Sequence, residues 1–314
     1  MSLVIASVFP GQGSQHIGML KELATTYSQV PLMFEAVSDR LGYDLWKLIQ
    51  EGPAASLNLT EHTQAAMLTA DVAIYRLMEQ QIGLRSAMMA GHSLGEYAAL
   101  VCAGAIDLPS AAELVTRRGQ LMQETVPVGT GAMAAIVGLT NDQVQTICVQ
   151  ASSELEQVTP ANYNAIGQVV VAGHTPAVER VIGLADELGA QLARVIPVSV
   201  PCHCALLTKA AERYEECLRA APFVTPKLPV ISNVDLSIYE SPEQIRHLLK
   251  EQLYSPVRWI ETIQKMKQSG VQYVIESGPG RVLGGLIKRI DKELKVVSVN
   301  DLSGLDQLKG DILL

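Results

Sequence analysis

The chain alternates between short apolar runs, typical of buried strands, and longer segments with apolar residues at helical spacing. Residues 3–9 form the first apolar run, and the glycine-rich stretch 10–15 ends it. A second run, 87–90, leads directly into a helix-forming segment at 94–103. Further helices are predicted at 19–26, 31–41 and 64–81, and from a capping box formed by Ser110 and Glu113 to about residue 124. This alternation is typical of an α/β fold with a mainly parallel sheet.

The middle of the chain follows a different order of elements. Strands are predicted at 132–139, 158–162, 168–172 and 191–196, and helices at 141–153 (capped by Thr140 and Gln143) and 176–188. The order βαββαβ is typical of a ferredoxin-like subdomain. Linkers are predicted at 126–131 and 197–201. We therefore expect an α/β-hydrolase-like core formed by residues 1–127 and 198–314, with residues 128–197 inserted as a ferredoxin-like subdomain.

The α/β alternation resumes after the insertion. A helix is predicted after residue 207, followed by a strand near 229–232 and a helix at 242–253. Ser255 and Pro256 are predicted to begin another helix, with proline at its first position. The remaining elements are a strand at 271–275, a helix at 282–290, and a strand at 294–299 that is expected to close the sheet.

Residues 91–95, Gly-His-Ser-Leu-Gly, fit the G-x-S-x-G pattern of a nucleophile elbow. The match is informative because an apolar strand precedes it and a helix follows it. At such a turn the serine hydroxyl lies at a helix N-terminus, where amide N–H groups favour a developing negative charge. The alternative is an ordinary strand-to-helix turn. The pattern favours Ser93 as a nucleophile.

A serine nucleophile needs a base, and the chain contains six histidines. His203 lies where the chain returns from the predicted insertion, so it is the candidate base; the alternative is a turn residue. His92 is adjacent to Ser93, and its side chain is expected to point away. Cys202 and Cys204 flank His203, but their spacing does not let three ligands close around one metal ion. No metal site is expected.

Arg117 and Arg118 are neighbours in the helix predicted to end near residue 124. Neighbouring helical residues point about 100° apart, so one arginine can face a pocket while the other meets solvent. Taken alone, either residue is more simply a solvated surface arginine.

Composition narrows the classes of partner. The net charge is −8 and no basic block occurs, which argues against nucleic acid and anionic membrane surfaces. No apolar run is long enough to span a bilayer, and the first ten residues lack the positive region of a signal peptide. Five irregularly spaced cysteines do not indicate a disulfide framework. We therefore expect a reduced, cytoplasmic setting.

Five motifs occur in order along the chain: FPGQGSQ at 9–15, GHSLGEY at 91–97, RRG at 117–119, VPCHC at 200–204 and ESGPG at 276–280. Together they resemble the malonyl-CoA:acyl-carrier-protein transacylases of bacterial type II fatty acid synthesis. The resemblance runs from residue 8 to about residue 290, with an insertion where that family has one.

The resemblance implies a reaction of two transfers. Ser93 would attack malonyl-CoA, with His203 as base, and the resulting malonyl ester would pass to the phosphopantetheine thiol of holo acyl carrier protein. The backbone amides of Gln12 and Leu94 would form the oxyanion hole. Arg118 would bind the free malonyl carboxylate through a bidentate contact.

The resemblance assigns three further features. The backbone carbonyl of Gln252 would orient the base where hydrolase triads use a carboxylate. Gln12 would also contact substrate, and Asn162, with Gln168, would line the cleft. Cys202 stands where serine is expected, which bears on acyl-chain choice. ATP, NAD, flavin and metal cofactors are not implied.

Partners follow from the same resemblance. They would be malonyl-CoA and holo acyl carrier protein. Separately, we expect basic residues around the cleft mouth, including Lys288 and Arg289, to meet an acidic carrier protein. A monomer is the expected oligomeric state. Three alternatives remain open: a serine esterase or thioesterase with water as acceptor, a non-catalytic member of a synthase assembly, and an acyltransferase serving a polyketide assembly line.

Overall fold

A computed structural model describes residues 3–127, 129–198 and 200–312. Before the predicted insertion, strands and helices follow the expected alternation: β1 Ile5–Phe9, α1 Lys21–Thr26, α2 Gln29–Leu41, α3 Leu45–Glu51, α4 Ala54–Leu57, α5 Thr60–Ile82, β2 Met88–Gly91, α6 Gly95–Cys102 and α7 Leu108–Thr125. The middle of the chain then forms β3 Gly131–Val137, α8 Asn141–Ala151, β4 Val158–Ala165, β5 Gln168–His174, α9 Thr175–Glu187 and β6 Leu192–Val195.

A short 3₁₀ turn, Ala205–Leu207, opens the C-terminal part. It is followed by α10 Thr208–Ala220, β7 Val230–Ile231, α11 Pro242–Glu251, α12 Trp259–Gln268, β8 Tyr273–Ser277, α13 Val282–Ile290, β9 Lys295–Val299 and α14 Leu302–Ile312.

Five strands from both ends of the chain form one parallel sheet in the order β7-β2-β1-β8-β9. Strands β1 and β2 are buried along their whole length, as expected for the inner strands of a sheet covered on both faces. In the register of this pair, Phe9 lies opposite Gly91. The carboxyl ends of both strands therefore meet, which places the loop after β1 beside the turn after β2. The predicted α/β fold with a mainly parallel sheet is confirmed.

The middle segment forms a separate four-stranded antiparallel sheet in the order β4-β5-β3-β6. Helices α8 and α9 pack on it around a small apolar cluster that includes Ile136, Val144 and Val178. The βαββαβ order is confirmed, and so is the capping box of Thr140 and Gln143. The division at residues 128–197 stays a prediction: Val128 in the first predicted linker and Ser199 in the second lie outside the described residues.

Strand β4 connects the small sheet to the larger part of the molecule. The amide of Val257 donates to the carbonyl of Ala161 (2.9 Å), and the amide of Tyr163 donates to the carbonyl of Val257 (3.0 Å). These bonds hold Val257 in a strand-like bridge beside Asn162. The predicted helix start at Ser255 and Pro256 is therefore wrong, because the chain is still extended at Val257 and α12 begins at Trp259.

A second correction concerns the start of α7. The helix is capped by Asp107, whose side chain accepts a hydrogen bond from the amide of Ser110 (2.9 Å). The predicted capping box of Ser110 and Glu113 is wrong, because Ser110 already lies in the first turn. Asp107 is an equally good cap residue, and Pro109 after it fits the first turn of a helix.

Helices α3, α4 and α14 were not predicted. Helix α3 has an N-cap, since the Asp44 carboxylate accepts from the amide of Lys47 (2.8 Å). Helix α14 follows β9 and places Leu305 and Leu308 in the main apolar core. None of the helices in the described ranges is both long and apolar enough to cross a membrane.

Candidate active site

Ser93 lies in a sharp turn between β2 and α6, with a φ of 53°, a value in the left-handed region that few non-glycine residues adopt. The two glycines of the motif make this turn sterically possible. A Cβ at Gly91 would lie 1.8 Å from the carbonyl carbon of Gly95, and a Cβ at Gly95 would lie 2.1 Å from the carbonyl oxygen of Phe9. The strand, the turn and the helix are thus packed with no room for a side chain at either position.

His203 is brought to Ser93 from 110 residues further along the chain, and Ser93 Oγ lies 2.7 Å from His203 Nε2. On the other side of the ring, Nδ1 lies 2.7 Å from the backbone carbonyl oxygen of Gln252. A carbonyl only accepts, so Nδ1 carries the proton and Nε2 presents its lone pair to the serine hydroxyl.

The electrostatic surroundings keep His203 neutral. Burial and, next, the nearby positive charge of Arg118 together lower the pKa of His203 to about 3, against the opposing effect of its hydrogen bond to the Gln252 carbonyl. The imidazole is therefore available as a proton acceptor at neutral pH. Within the described ranges, no carboxylate hydrogen-bonds to the ring.

The loop after β1 packs directly against the serine turn. A Cβ at Gly11 would lie 2.8 Å from the carbonyl oxygen of His92, so the two backbones are in close contact. Leu94, the residue after the serine, is the N-cap of α6. Among the described residues, the backbone amides of Gln12 and Leu94 have no hydrogen-bond acceptor. Two unused N–H donors beside a nucleophile are what an oxyanion hole requires.

The two neighbouring arginines of α7 differ in burial. Arg117 is partly exposed and bonds to Gln120 and Glu124. Arg118 is only 1% exposed. Its Nη1 donates to Gln64 Oε1 and its Nη2 donates to Gln252 Oε1, both at 3.0 Å.

Further contacts leave part of the Arg118 guanidinium unused. It lies 5.7 Å from the centre of the Tyr97 ring, in cation–π contact. Its Nε is buried and has no hydrogen-bond partner among the described residues. A buried arginine bonded to neutral amides, with one donor unpaired, is suited to bind an anion.

Strand β4 carries the predicted cleft residue Asn162, which is 7% exposed and lies beside Val257. Asn164, two residues along, reaches the serine turn: its Oδ1 lies 2.8 Å from His92 Nε2. Gln168, also expected near the cleft, accepts a hydrogen bond from Arg289 Nη1 (2.7 Å). The roles of Asn162 and Gln168 in binding stay predictions.

Comparison with known proteins gives the family. The model of the acyl transferase domain matches residues 7–305. The chain belongs to the acyl transferase family. A malonyl CoA-acyl carrier protein transacylase of Haemophilus influenzae is 51% identical over 305 residues, covering 97% of each chain.

Solved structures agree with this assignment. The malonyl CoA-acyl carrier protein transacylase of Coxiella burnetii matches with a TM-score of 0.97 and 46% identity, over 99% of this chain and 98% of that one. A malonyl-transacylase in complex with a type II PKS acyl-carrier protein matches with a TM-score of 0.96 and 49% identity, over 98% and 99% of the two chains. The protein is thus an acyltransferase, as the motifs indicated.

Several residues of this acyl transferase site were not singled out from the sequence. Gln64 on α5 supports Arg118, and Asn233 supports the serine turn by accepting from the Ser93 amide (2.8 Å) and donating to the Gly91 carbonyl (2.7 Å). Glu96 in the first turn of α6 is fully buried, and burial raises its pKa to about 7 against hydrogen bonds that lower it. No local signal marks Gln64 or Asn233, since an isolated amide in a helix or loop is usually solvated.

The thiols of the two cysteines beside His203 lie against backbone carbonyls. Cys202 Sγ lies 3.5 Å from the carbonyl of Val200, and Cys204 Sγ lies 3.7 Å from that of Pro201. Burial raises the pKa of both thiols, so neither is an activated thiolate. In the described part of the chain, no cluster of three His, Cys, Asp or Glu side chains is arranged to hold a metal ion.

Proposed function

We propose that this acyltransferase carries a malonyl group from malonyl-CoA to the phosphopantetheine thiol of holo acyl carrier protein, through a malonyl ester of Ser93, for fatty acid synthesis. The observation that carries the proposal is the double use of Gln252. Its backbone carbonyl orients His203, and its side-chain oxygen accepts from Arg118. One residue therefore holds a base for the nucleophile and a guanidinium for a carboxylate in the same site.

The first transfer begins with proton movement from Ser93 Oγ to His203 Nε2, which are 2.7 Å apart. The serine oxygen attacks the thioester carbonyl, and the amides of Gln12 and Leu94 donate to the oxyanion that forms. When the tetrahedral intermediate collapses, the C–S bond breaks. His203 then gives its proton to the departing coenzyme A sulfur, and malonyl-Ser93 remains.

The second transfer reverses these steps with a different thiol. His203 Nε2 takes the proton of the phosphopantetheine thiol, and the thiolate attacks the ester carbonyl. The C–O bond breaks, and Ser93 Oγ recovers the proton from His203. The products are malonyl-acyl carrier protein and free enzyme, so protons and bonds balance over the cycle.

Arg118 supplies the preference for malonyl over neutral acyl groups in this proposal. Gln64 and Gln252 each occupy one Nη donor and hold the plane of the guanidinium. The Nε proton has no partner among the described residues and is left for the substrate carboxylate. Among the described residues no carboxylate pairs directly with this buried charge, which favours an anionic ligand.

The neutral backbone carbonyl that orients His203 suits a transferase. A carbonyl stabilises the imidazolium less than a carboxylate does, so the base is weaker than in a hydrolase triad. Water, a poor nucleophile, is activated less, whereas a thiol gives up its proton more readily. The ester then persists until the acceptor thiol arrives.

The adduct itself provides the test. Wild-type protein mixed with malonyl-CoA is expected to gain one malonyl group by intact-mass spectrometry, and peptide mapping should place it on Ser93. Ser93→Ala should gain none, whereas Ser153→Ala, at an exposed position, should behave as wild type. An adduct that persists in Ser93→Ala, or its absence from wild type, would contradict the proposal.

A further inference from the structure

Glu96 is fully buried one turn beyond the nucleophile, yet none of the transfer steps above uses it. Its Oε1 accepts from the hydroxyl of Tyr239 (2.6 Å) and from the backbone amide of Asn233 (3.2 Å). Its Oε2 accepts from Gln252 Nε2 (2.5 Å). Three donors, two from the segment around β7 and one from the end of α11, converge on this carboxylate, so it connects these segments to the helix that follows Ser93.

The contact with Gln252 matters because a side-chain amide has two unlike ends. In the observed orientation, Nε2 donates to Glu96 and to the Ser93 carbonyl (3.0 Å), while Oε1 accepts from Arg118. A guanidinium has donors only, and an ionised carboxylate has acceptors only. The reversed amide would therefore place NH₂ against Arg118 and oxygen against Glu96, which makes both contacts repulsive.

In its ionised form, which the charge of Arg118 favours, Glu96 also balances that charge without touching the guanidinium. Among the described residues, Arg118 forms no salt bridge with a carboxylate, and its Nη2 is separated from Glu96 by the Gln252 amide. A direct ion pair would occupy two donors of the guanidinium. The intervening amide keeps the two charges close while leaving Arg118 Nε unpaired.

We propose that Glu96 is a positioning residue for acyl-group selection: its carboxylate orients the Gln252 amide so that Gln252 holds Arg118 ready for the substrate carboxylate. This inference rests on the proposed malonyl transfer. Glu96 acts through Gln252 and Arg118, so its loss should weaken transfer of malonyl groups much more than transfer of neutral acyl groups.

The test compares malonyl-CoA with acetyl-CoA as donors to holo acyl carrier protein. Glu96→Gln keeps the size of the side chain but turns an NH₂ group or an uncharged oxygen toward Gln252. We expect kcat/KM for malonyl-CoA to fall by about 10–100-fold and the malonyl-to-acetyl ratio by at least about tenfold. Tyr239→Phe removes a donor from the other oxygen of Glu96, so this ratio should stay within about twofold of wild type.

A double-mutant cycle separates positioning from general loss of structure. In an Arg118→Met background, Glu96→Gln should lower malonyl transfer by less than about threefold, because its effect passes through Arg118. Equal factors in both backgrounds, or equal losses for the two donors, would overturn the inference.

A second variant serves if Glu96→Gln does not fold. Gln252→Met keeps the backbone carbonyl that orients His203 but removes the amide, and it should shift the malonyl-to-acetyl ratio in the same direction. An unchanged ratio would overturn the inference. Failure of the wild type to transfer malonyl would overturn the proposed function as well, so the two failures are distinguishable.

Discussion

Replacing Arg118 by methionine should separate substrates by their carboxylate. Methionine is long and flexible enough to fill the buried space without the charge. Hydrogen bonds to charged groups contribute about 1.5–3 kcal/mol each, so a two-bond contact with the malonyl carboxylate is worth about 3–6 kcal/mol. At about 1.4 kcal/mol per factor of ten, kcat/KM for malonyl-CoA should fall by about 10²–10⁴.

Acetyl-CoA provides the internal comparison. It has no carboxylate, so its kcat/KM should change by less than about threefold in Arg118→Met. Arg118→Lys keeps the charge but lacks the planar pair of donors, so its malonyl activity should lie between those of wild type and Arg118→Met. The matched surface control is Arg117→Met, since Arg117 is partly exposed and bonds to Gln120 and Glu124.

The assay is the rate of acyl-enzyme formation with each donor, followed by rapid quenching and intact-mass analysis. Unfolding in urea should accompany it, because the substitution leaves the side-chain oxygens of Gln64 and Gln252 without their donor. Equal losses with malonyl-CoA and acetyl-CoA in a stably folded variant would refute the role of Arg118 in carboxylate binding.

Two further predictions concern stability. The folded pKa of His203, about 3, lies below its usual value near 6.5, so the unfolded chain binds this proton first as the pH falls. The stability present above about pH 6.5 is therefore lost on acidification, by about 2 kcal/mol in the free energy of unfolding between pH 7 and pH 5. Urea titrations of His203→Gln should lack this loss. Equal pH dependence in wild type and variant would contradict the lowered pKa of His203. Gly95→Ala should destabilise the fold by more than about 3 kcal/mol, because the new Cβ would lie 2.1 Å from the Phe9 carbonyl oxygen. The control Gly183→Ala, in α9 with open space around it, should be neutral or stabilising by up to about 1 kcal/mol in the same urea titrations, and similar effects at both sites would show that the close approach is not what requires glycine.

Local sequence was sufficient for the nucleophile turn and for the order of elements around it. The apolar run before Gly91 and the helix-forming run after Gly95 were enough to predict the strand, the turn and the helix. The βαββαβ order of the middle segment could also be predicted from the sequence, because its strands and helices are short and regularly spaced. The start of α7 was predicted wrongly: the pattern placed the cap at Ser110, whereas the helix is capped by Asp107 three residues earlier.

The hydrogen-bond partners of the site residues could not be predicted from the local sequence. Glu96 is an acid in the first turn of a helix, which is ordinarily solvated and favourable to the helix dipole. Its burial depends on Asn233, Tyr239 and Gln252, which reach it across more than 130 residues. Likewise, the extended bridge at Val257 comes from pairing with strand β4, a tertiary contact that no helix-start signal reports.

The fate of the isolated malonyl ester distinguishes transfer to a carrier thiol from hydrolysis. Acyl-enzyme freed of malonyl-CoA would be divided into two samples, one with holo acyl carrier protein and one with buffer or apo carrier protein. We expect the Ser93 adduct to move quantitatively to the carrier thiol in the first sample and to persist in the second. Equal loss to free malonate in both samples would identify water as the acceptor and contradict the proposed transfer.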